Sequence, residues 1–355
     1  MSSLEAKNNK FLFSVDIAKF ICAIAVIGIH TQMFSNFGEL ANYFTFGVLF
    51  RVAVAFFFVC SGFFFFGKLE FSNGKIKKSA HNRRKLTSYL TRLIILYIIW
   101  SVIYFILQLI QWVTYPDITF IHLLIGFAKS FIVDGSYYHL WYILCLIYSV
   151  PIIYVLLRRI NLKNVMLIAI FLYALHLIIN FNGICEALPV VSVIGKLSLI
   201  PGAIGQTLFI AIPLVTAGGY VAIKKCEIKK LNSNILFVLS LLLLVAEASL
   251  IFSFSGKTDH SAYIIFTFVA SVIGFLAVKN IDLSSKNKER FHYFRNMSTV
   301  MYCIHPLVIE LLKLIVSKER INSLIWFFII MIPTIVISYL FVFISNKVKL
   351  LKYFY

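Results

Sequence analysis

The stretch 13-FSVDIAKFICAIAVIGIH-30 is long and apolar enough to predict a helix that spans a membrane. Three ionisable residues interrupt it, namely Asp16, Lys19 and His30. At about 100° per residue, these three lie within about 60° of one another, so they share one face of the helix. Ionisable groups in a bilayer are costly unless they face a bundle interior or a water-filled cavity. The shared face is therefore predicted to line a polar passage.

The rest of the chain repeats this apolar pattern. Of its 355 residues, 61% are hydrophobic and 13% are charged, whereas about 25% are charged in soluble domains. Apolar runs of about twenty residues, enough to cross ~30 Å of hydrocarbon, alternate with short polar segments. We predict an all-α, polytopic integral membrane protein, built as a helical bundle and not as a barrel. Ten spans are expected near 12–34, 44–67, 88–113, 139–158, 164–182, 202–223, 234–254, 262–279, 297–316 and 323–346.

The segments between and around these spans suggest one membrane domain over 1–355. The stretch 120-FIHLLIGFAKSFIV-133 is apolar but too short to cross, so we expect 114–138 to be interfacial or re-entrant. Neither a cleavable signal peptide nor an appended soluble domain is expected. The six scattered cysteines predict neither a disulfide framework nor a metal site.

The net charge of +19 comes from bases concentrated in alternate loops. Of the 33 Lys and Arg residues, 26 lie in the N-terminus through Lys19, 68–92, 158–163, 224–230, 279–295 and 347–352. By the positive-inside rule, both termini are predicted to be cytoplasmic. The basic loops indicate topology and attraction to anionic lipid, and not a nucleic acid partner. The dense run 75-KIKKSAHNRRKL-86 could also attract a phosphate-bearing ligand.

Polar residues also lie inside the second span. Arg51 is two turns in, at a depth close to that of His30, and it stays charged, so it should face a polar cavity or an acid. Ser61 and Gly62 interrupt a phenylalanine-rich run. This small pair indicates either close helix packing or the approach of a ligand chain to the backbone.

Two later spans carry histidines at positions that we expect to be near the outer side. His139 precedes Trp141, where aromatic residues also commonly form a membrane belt. Tyr302 and His305 are three residues apart and so share a face, with Glu310 a turn further out. His30 itself has a simpler explanation as a hydrogen-bonding contact between helices.

At the predicted cytoplasmic side, Arg92 begins the third span close to the level of Lys19. With the preceding basic run, which includes Arg84 and Lys85, these groups could form a phosphate-binding mouth. Asp16 and Lys19 also have a simpler explanation as an interfacial ion pair.

Together these segments resemble the acyltransferase 3 family, polytopic membrane acyltransferases that use cytoplasmic acyl-CoA to modify hydroxyls on bacterial surface glycans. The resemblance covers most of the chain and depends on the order of its motifs. They are Lys19 and His30 with ten residues between them, Arg51 followed by 56-FFFVCSGFF-64, 83-RRKLTSYLTRLIILYIIW-100, 139-HLWYI-143 and 298-STVMYCIHPL-307. The chain departs from the family in having Lys19 where many members have Arg, and 15-VDIAK-19 in place of Leu-Asp-Gly-Leu-Arg. We expect no appended hydrolase-like domain of the kind that some members carry, and transfer is then expected to finish in the membrane domain or through a partner.

The resemblance implies transfer of an acyl group, acetyl foremost, from acetyl-CoA as co-substrate to a hydroxyl of a cell-surface or lipid-linked glycan. It implies no bound cofactor or metal, and a location in the bacterial plasma membrane. His30 would act as general base or as acyl carrier, and Arg51 would stabilise the oxyanion or orient the acceptor. The CoA phosphates would bind Lys19, Arg92, Arg84 and Lys85. The substrate cavity would be lined by Asp16, Ser61, His139, Trp141, Tyr302, His305 and Glu310.

Lys19 and His30 are separated by about three turns, or ~16 Å, a distance that an extended pantetheine arm can span. Two other functions stay open from the sequence. The buried charges would equally suit a transporter for a small molecule or protons. The chain could also be an assembly subunit of a glycan-export complex, in which His30 would have no catalytic role.

Overall fold

The computed structural model describes residues 12–114, 119–181, 200, 202–255, 264–281, 283, 288–316 and 321–355. These residues are mostly helical, with one short antiparallel ribbon, β1 (Phe71–Ser72) and β2 (Lys75–Ile76). The α-helices are α1 (Phe13–Thr31), α2 (Glu39–Asn42), α3 (Arg51–Phe66), α4 (Ala80–Thr114), α5 (Phe120–Val133), α6 (Trp141–Arg159), α7 (Leu162–Phe181), α8 (Gly202–Gln206), α9 (Ile212–Ile223), α10 (Lys230–Ser255), α11 (Ile265–Lys279), α12 (Lys288–Lys313) and α13 (Ser323–Ser345). Two π-helical segments (Tyr43–Leu49, Thr207–Ala211) and two 3₁₀ turns (Ser35–Phe37, Lys349–Phe354) complete them.

The predicted all-α, polytopic fold is confirmed. Among the described residues, eight helices are long and apolar enough to cross a membrane. They are Phe13–Thr31, Glu39–Phe66, Ala80–Thr114, Trp141–Arg159, Leu162–Ile179, Gly202–Ile223, Lys230–Phe254 and Ser323–Ser345. The predicted spans 262–279 and 297–316 fall on α11 and α12, and residues 182, 262 and 263 of the ten spans lie outside the described part. The number of helices that cross stays a prediction.

Helix α1 packs against α3, α12 and α13. It runs parallel to α12, because Phe20 contacts Phe294 near one end (ring centroids 5.2 Å apart) and His30 contacts His305 near the other (5.1 Å). Helix α3 runs in the opposite direction, since Lys19 lies over the ring of Phe64. The polar face of α1 therefore points toward neighbouring helices at both ends.

Helix α3 crosses α9 at unusually close range. A Cβ atom on Gly62 would overlap the carbonyl oxygen of Val215, and one on Gly218 would overlap that of Val59. Glycine at these positions lets the two backbones touch. Gly62 therefore permits close helix packing, one of the two roles that the sequence left open.

Most of the described segment between the third and fourth predicted spans is helical. Helix α4 continues to Thr114, residues 115–118 lie outside the described part, and α5 follows over 14 residues, none of them buried. A short apolar helix with all its residues at least partly exposed is typical of an interfacial segment. That location stays a prediction.

The ribbon of β1 and β2 connects α3 to α4. Asn82, which is fully buried, accepts from the backbone N–H of Glu70 (2.9 Å) and donates to the carbonyls of Glu70 and Lys77 (both 2.9 Å). One side chain thus fixes both ends of the ribbon to the start of α4. This arrangement holds Lys68, two residues after α3, near the basic run that begins α4.

Candidate active site

Three histidines from three parts of the chain meet inside the bundle. The His30 ring stacks on that of His305, with centroids 5.1 Å apart and planes at 28°. His139 meets the His305 ring at 71° and 5.3 Å. We call His30, His139 and His305 the histidine cluster. His139 and His305 are buried and His30 is half-buried.

His139 reaches the cluster on a loop that folds back into the bundle after α5. Gly135 has φ +99°, a conformation that glycine adopts without strain, and the backbone of Trp141 leaves no room there for a side chain. The next residue, Ser136, hydrogen-bonds α4 through the hydroxyls of Tyr97 (3.0 Å) and Ser101 (2.5 Å). The loop is thus held by α4.

Two tyrosines fix the loop against α12. The Tyr104 hydroxyl donates to the carbonyl of Cys303 at 2.7 Å, while its ring stacks on Tyr137 (4.3 Å) and meets His139 edge-on (5.0 Å). The Tyr302 hydroxyl donates to the carbonyl of His139. Tyr302 and His305 are both predicted to line the cavity; the structure brings Tyr302 beside His139 and His305 beside both His30 and His139. Tyr104 was not predicted, because nothing in the sequence distinguishes it from other aromatic residues of α4.

Several buried polar atoms of this region have no hydrogen-bond partner. They are Nε of Arg51, Nδ1 and Nε2 of His139, and Nε2 of His305. Arg51 begins α3 directly after the π-helical segment and lies within electrostatic range of His30. Unpaired buried polar groups are rare in folded proteins and indicate a place where a ligand or water binds. π-Helical turns are also frequent at functional sites.

A second site, the cationic cleft, lies at the other end of the bundle and has a volume of about 720 Å³. It is lined by Arg84, Thr87, Ser88, Thr91, Arg92, Ile95, Arg295, Asn296, Asn346, Lys352, Tyr353 and Tyr355. Four of these described residues are basic and none is acidic. Such a cleft favours an anion, and arginine is particularly suited to phosphate because it offers paired donors.

Further cations surround the cationic cleft. The Lys68 side chain is exposed, but partial desolvation and, after it, the positive charges of nearby residues lower its pKa below the ordinary value. These residues are Lys85, Arg295, Lys19 and Arg92 in decreasing order of effect. The predicted phosphate-binding residues are therefore brought together, with Lys68, Arg295 and Lys352 as members that the sequence analysis did not single out. Lys85 lines a smaller adjoining pocket together with Arg84.

Helix α4 connects the cationic cleft to the histidine cluster. The cleft reaches Ile95, and Tyr104, which contacts His139, is nine residues or ~14 Å further along the helix. Between them, Trp100 donates through Nε1 to the carbonyl of Phe354 at 3.1 Å. The C-terminal turn thus packs on α4 between the cationic cleft and the histidine cluster.

The other predicted cavity residues have varied locations. The Ser61 hydroxyl lies 2.9 Å from the carbonyl of Phe57 and 3.0 Å from the hydroxyl of Tyr142, so it joins α3 to α6. Trp141 packs against Phe58, with ring centroids 5.9 Å apart. Asp16 is buried near the start of α1, at the opposite end of that helix from His30.

Glu310 follows His305 on α12, near the loop that carries His139. It forms an ion pair with Lys313 (2.8 Å) and accepts from Gln111 at 3.3 Å. It also acts on Tyr137 in the loop, since burial and then the Glu310 charge raise the pKa of Tyr137 to about 12. Across the described residues, no group of three His, Cys, Asp or Glu side chains is arranged to hold a metal ion.

Comparison with known proteins gives a family and distant relatives. The family model of an acyltransferase domain, that of acyltransferase 3, matches residues 12–343. An amino-acid racemase of Enterococcus faecalis is 25% identical over 347 residues, which cover 95% of this chain and 47% of the relative. A serine/alanine racemase of Enterococcus gallinarum is 25% identical over 326 residues, covering 90% and 44%. The chain spans about half the length of the curated relatives it matches. No solved structure matches it.

Proposed function

Because the chain belongs to the acyltransferase 3 family, we propose that it moves an acyl group, acetyl foremost, from cytoplasmic acyl-CoA to a hydroxyl of a cell-surface or lipid-linked glycan. The donor is a co-substrate, and the reaction takes place in the plasma membrane of a bacterium. The observation that carries the proposal is the pair of sites along α1 and α4. A cationic cleft suits the phosphates of CoA, and a histidine cluster with Arg51 suits the chemistry of transfer.

The proposed reaction has one balanced step when His30 acts as base. The acceptor oxygen bonds to the acyl carbon, the thioester C–S bond breaks, and the hydroxyl proton passes through His30 to the leaving thiolate. Arg51 stabilises the negative charge that develops on the carbonyl oxygen. If His30 carries the acyl group instead, the same bonds form and break in two steps.

The donor would lie along the path from the cationic cleft to the cluster. Arg84, Arg92, Arg295 and Lys352 face the cleft and would bind the phosphates. Lys19, half-buried beside Phe64, would extend this positive region toward the interior. The ~14 Å from Ile95 to Tyr104 agrees with the reach needed of a pantetheine arm.

The acceptor and the pathway are tested in cells. Surface glycans of a deletion strain are compared by mass spectrometry after complementation with the natural protein, His30→Ala or His122→Ala. His122, an exposed residue of α5, is the matched control. We expect the acyl mass increment to return with the natural protein and with His122→Ala, and not with His30→Ala. Restoration by His30→Ala would favour an assembly role over a catalytic one.

A second candidate function is transport of a small molecule, and L-serine is a reasonable first compound to test because the relatives are named as racemases of amino acids. In that case the buried polar groups would line a substrate path. Sealed vesicles distinguish the two functions, because a transporter moves labelled L-serine across the membrane while acetyl-CoA stays intact. Turnover of acetyl-CoA without serine flux supports the acyltransferase.

A further inference from the structure

The imidazole of His305 is completely buried, yet one of its two nitrogens is unpaired. Nδ1 lies 3.1 Å from the carbonyl oxygen of Met301, one turn earlier in α12, whereas Nε2 has no hydrogen-bond partner. A carbonyl can only accept, so Nδ1 carries the proton. In the neutral ring, Nε2 is then a hydrogen-bond acceptor without a donor.

A purely structural role explains this geometry poorly. A histidine that joins helices hydrogen-bonds across the interface, but the Met301 contact is within α12 itself. Leaving a buried acceptor unpaired lowers stability, and Pro306, which follows, offers no backbone N–H to pair with it. The free acceptor is therefore better explained by a bound molecule that donates to it.

The neighbours of His305 indicate where such a molecule lies. His30 stacks on it at 5.1 Å, and His139, with both ring nitrogens unpaired, meets it at 5.3 Å. The centroids of the stacked His30 and His305 rings are 5.1 Å apart, a separation that one small molecule can span. Two neighbouring polar groups of one small molecule can then reach one ring each.

We propose that His305 determines acceptor specificity, by accepting a hydrogen bond through Nε2 from a second donor group beside the hydroxyl that His30 activates. The inference rests on the proposed function and deepens it. The acceptor class is then a molecule with two neighbouring donors, such as a polyol or an amino alcohol. The reacting proton still passes through His30, and His305 gains no proton in the cycle.

Two substitutions separate this role from packing. In His305→Asn, the side-chain amide replaces Nδ1 and keeps a donor for Met301, but no acceptor occupies the position of Nε2. In His305→Gln, the longer side chain carries an acceptor oxygen to that position. The melting temperature of each variant is first compared with that of the natural protein. A loss of function at an unchanged melting temperature then reflects the site.

The test uses purified protein, labelled acetyl-CoA and a matched pair of acceptors, 1,2-propanediol and 1-propanol, which differ by one hydroxyl; L-serine represents amino alcohols. We expect kcat/KM to favour the diol over propanol by about 10-fold or more, because the site leaves His305 unpaired with propanol. The preference should disappear in His305→Asn and persist in His305→Gln. An equal preference in His305→Asn, or no preference in the natural protein, overturns the proposal.

Ligand-induced thermal stabilisation by the same compounds distinguishes failure of this inference from failure of the proposed function. Even if acetyl-CoA is not turned over, the diol or serine can still raise the melting temperature of the natural protein. If this increase is lost in His305→Asn and kept in His305→Gln, it supports the role of His305. Stabilisation that is absent, or is the same in both variants, overturns it.

Discussion

At the scale of single residues, Lys68 shows how neighbours set the chemistry of one side chain. Its side chain is exposed, and its pKa is lowered first by partial desolvation and then by the cations of Lys85 and Arg295, among others. A bound anion would relieve this repulsion, so the protonated form of Lys68 and an anionic donor stabilise each other. The Lys68 ammonium loses its charge as the pH rises through the Lys68 pKa. Affinity for the anionic donor should therefore fall over the same pH range.

This behaviour gives a prediction for acetyl-CoA binding across pH. Lys68→Met should weaken binding by about 3-fold below the Lys68 pKa, because the side chain is exposed and solvent screens its charge, and should remove the decline at alkaline pH. Arg295→Met should weaken binding and move the decline to higher pH, because a cation that lowers the Lys68 pKa is gone. Titration calorimetry at successive pH values measures both effects. Lys129→Met, on the exposed surface of α5, is the matched loss of charge; an equal effect there would contradict the prediction.

How much of the site can be predicted depends on how far apart its residues are in the chain. Lys19 and His30 share one helix, so the helical period alone placed them on one face. The contact between His30 and His305 requires α1 and α12 to pack in parallel, which no local pattern encodes. The same holds for Glu247, which has no evident partner in sequence; its carboxylate accepts from the backbone N–H groups of Ile265 (3.0 Å) and Phe266 (2.8 Å) at the start of α11.

At the scale of elements, the tightest backbone contact described above is the crossing of α3 and α9. Gly62→Ala or Gly218→Ala would force the backbones apart, and overpacking of this kind costs about 1–3 kcal/mol. Gly126→Ala is the matched control, because a Cβ there meets open space and alanine favours a helix by up to ~1 kcal/mol over glycine. We expect lower melting temperatures for the first two variants in detergent and an unchanged or higher one for the third. Equal melting temperatures for Gly62→Ala and Gly126→Ala would show that the close contact is not limiting.

Apolar run length predicted the helices well and their irregularities poorly. The positions of the helices followed from hydrophobic runs, but α4 begins at Ala80, eight residues before its predicted start, because Asn82 ties this polar turn to the ribbon. The π-helical segment Tyr43–Leu49 ahead of Arg51 has no composition that distinguishes it from an α-helix. Such features depend on packing against the neighbouring elements.

At the scale of the whole molecule, the orientation in the membrane follows from the basic loops and stays a prediction. Exposed residues at the two ends of the bundle allow a test, with Glu39→Cys near the histidine cluster and Ser72→Cys in the ribbon. A membrane-impermeant maleimide should label Glu39→Cys on intact cells, and Ser72→Cys only after permeabilisation. The unsubstituted protein measures the background from native cysteines. The reverse pattern would place the cationic cleft on the outer side and exclude cytoplasmic acyl-CoA as its ligand.

The proposed function gives His30 a direct role in acyl transfer from CoA. The most direct measurement follows free CoA thiol and labelled acetyl product as the purified protein is given acetyl-CoA. We expect turnover by the natural protein and by His122→Ala, and a loss of about 10²- to 10⁴-fold in His30→Ala, the usual contribution of a general base. Turnover by His30→Ala at the rate of the natural protein, or no release of CoA by the natural protein, would contradict this role.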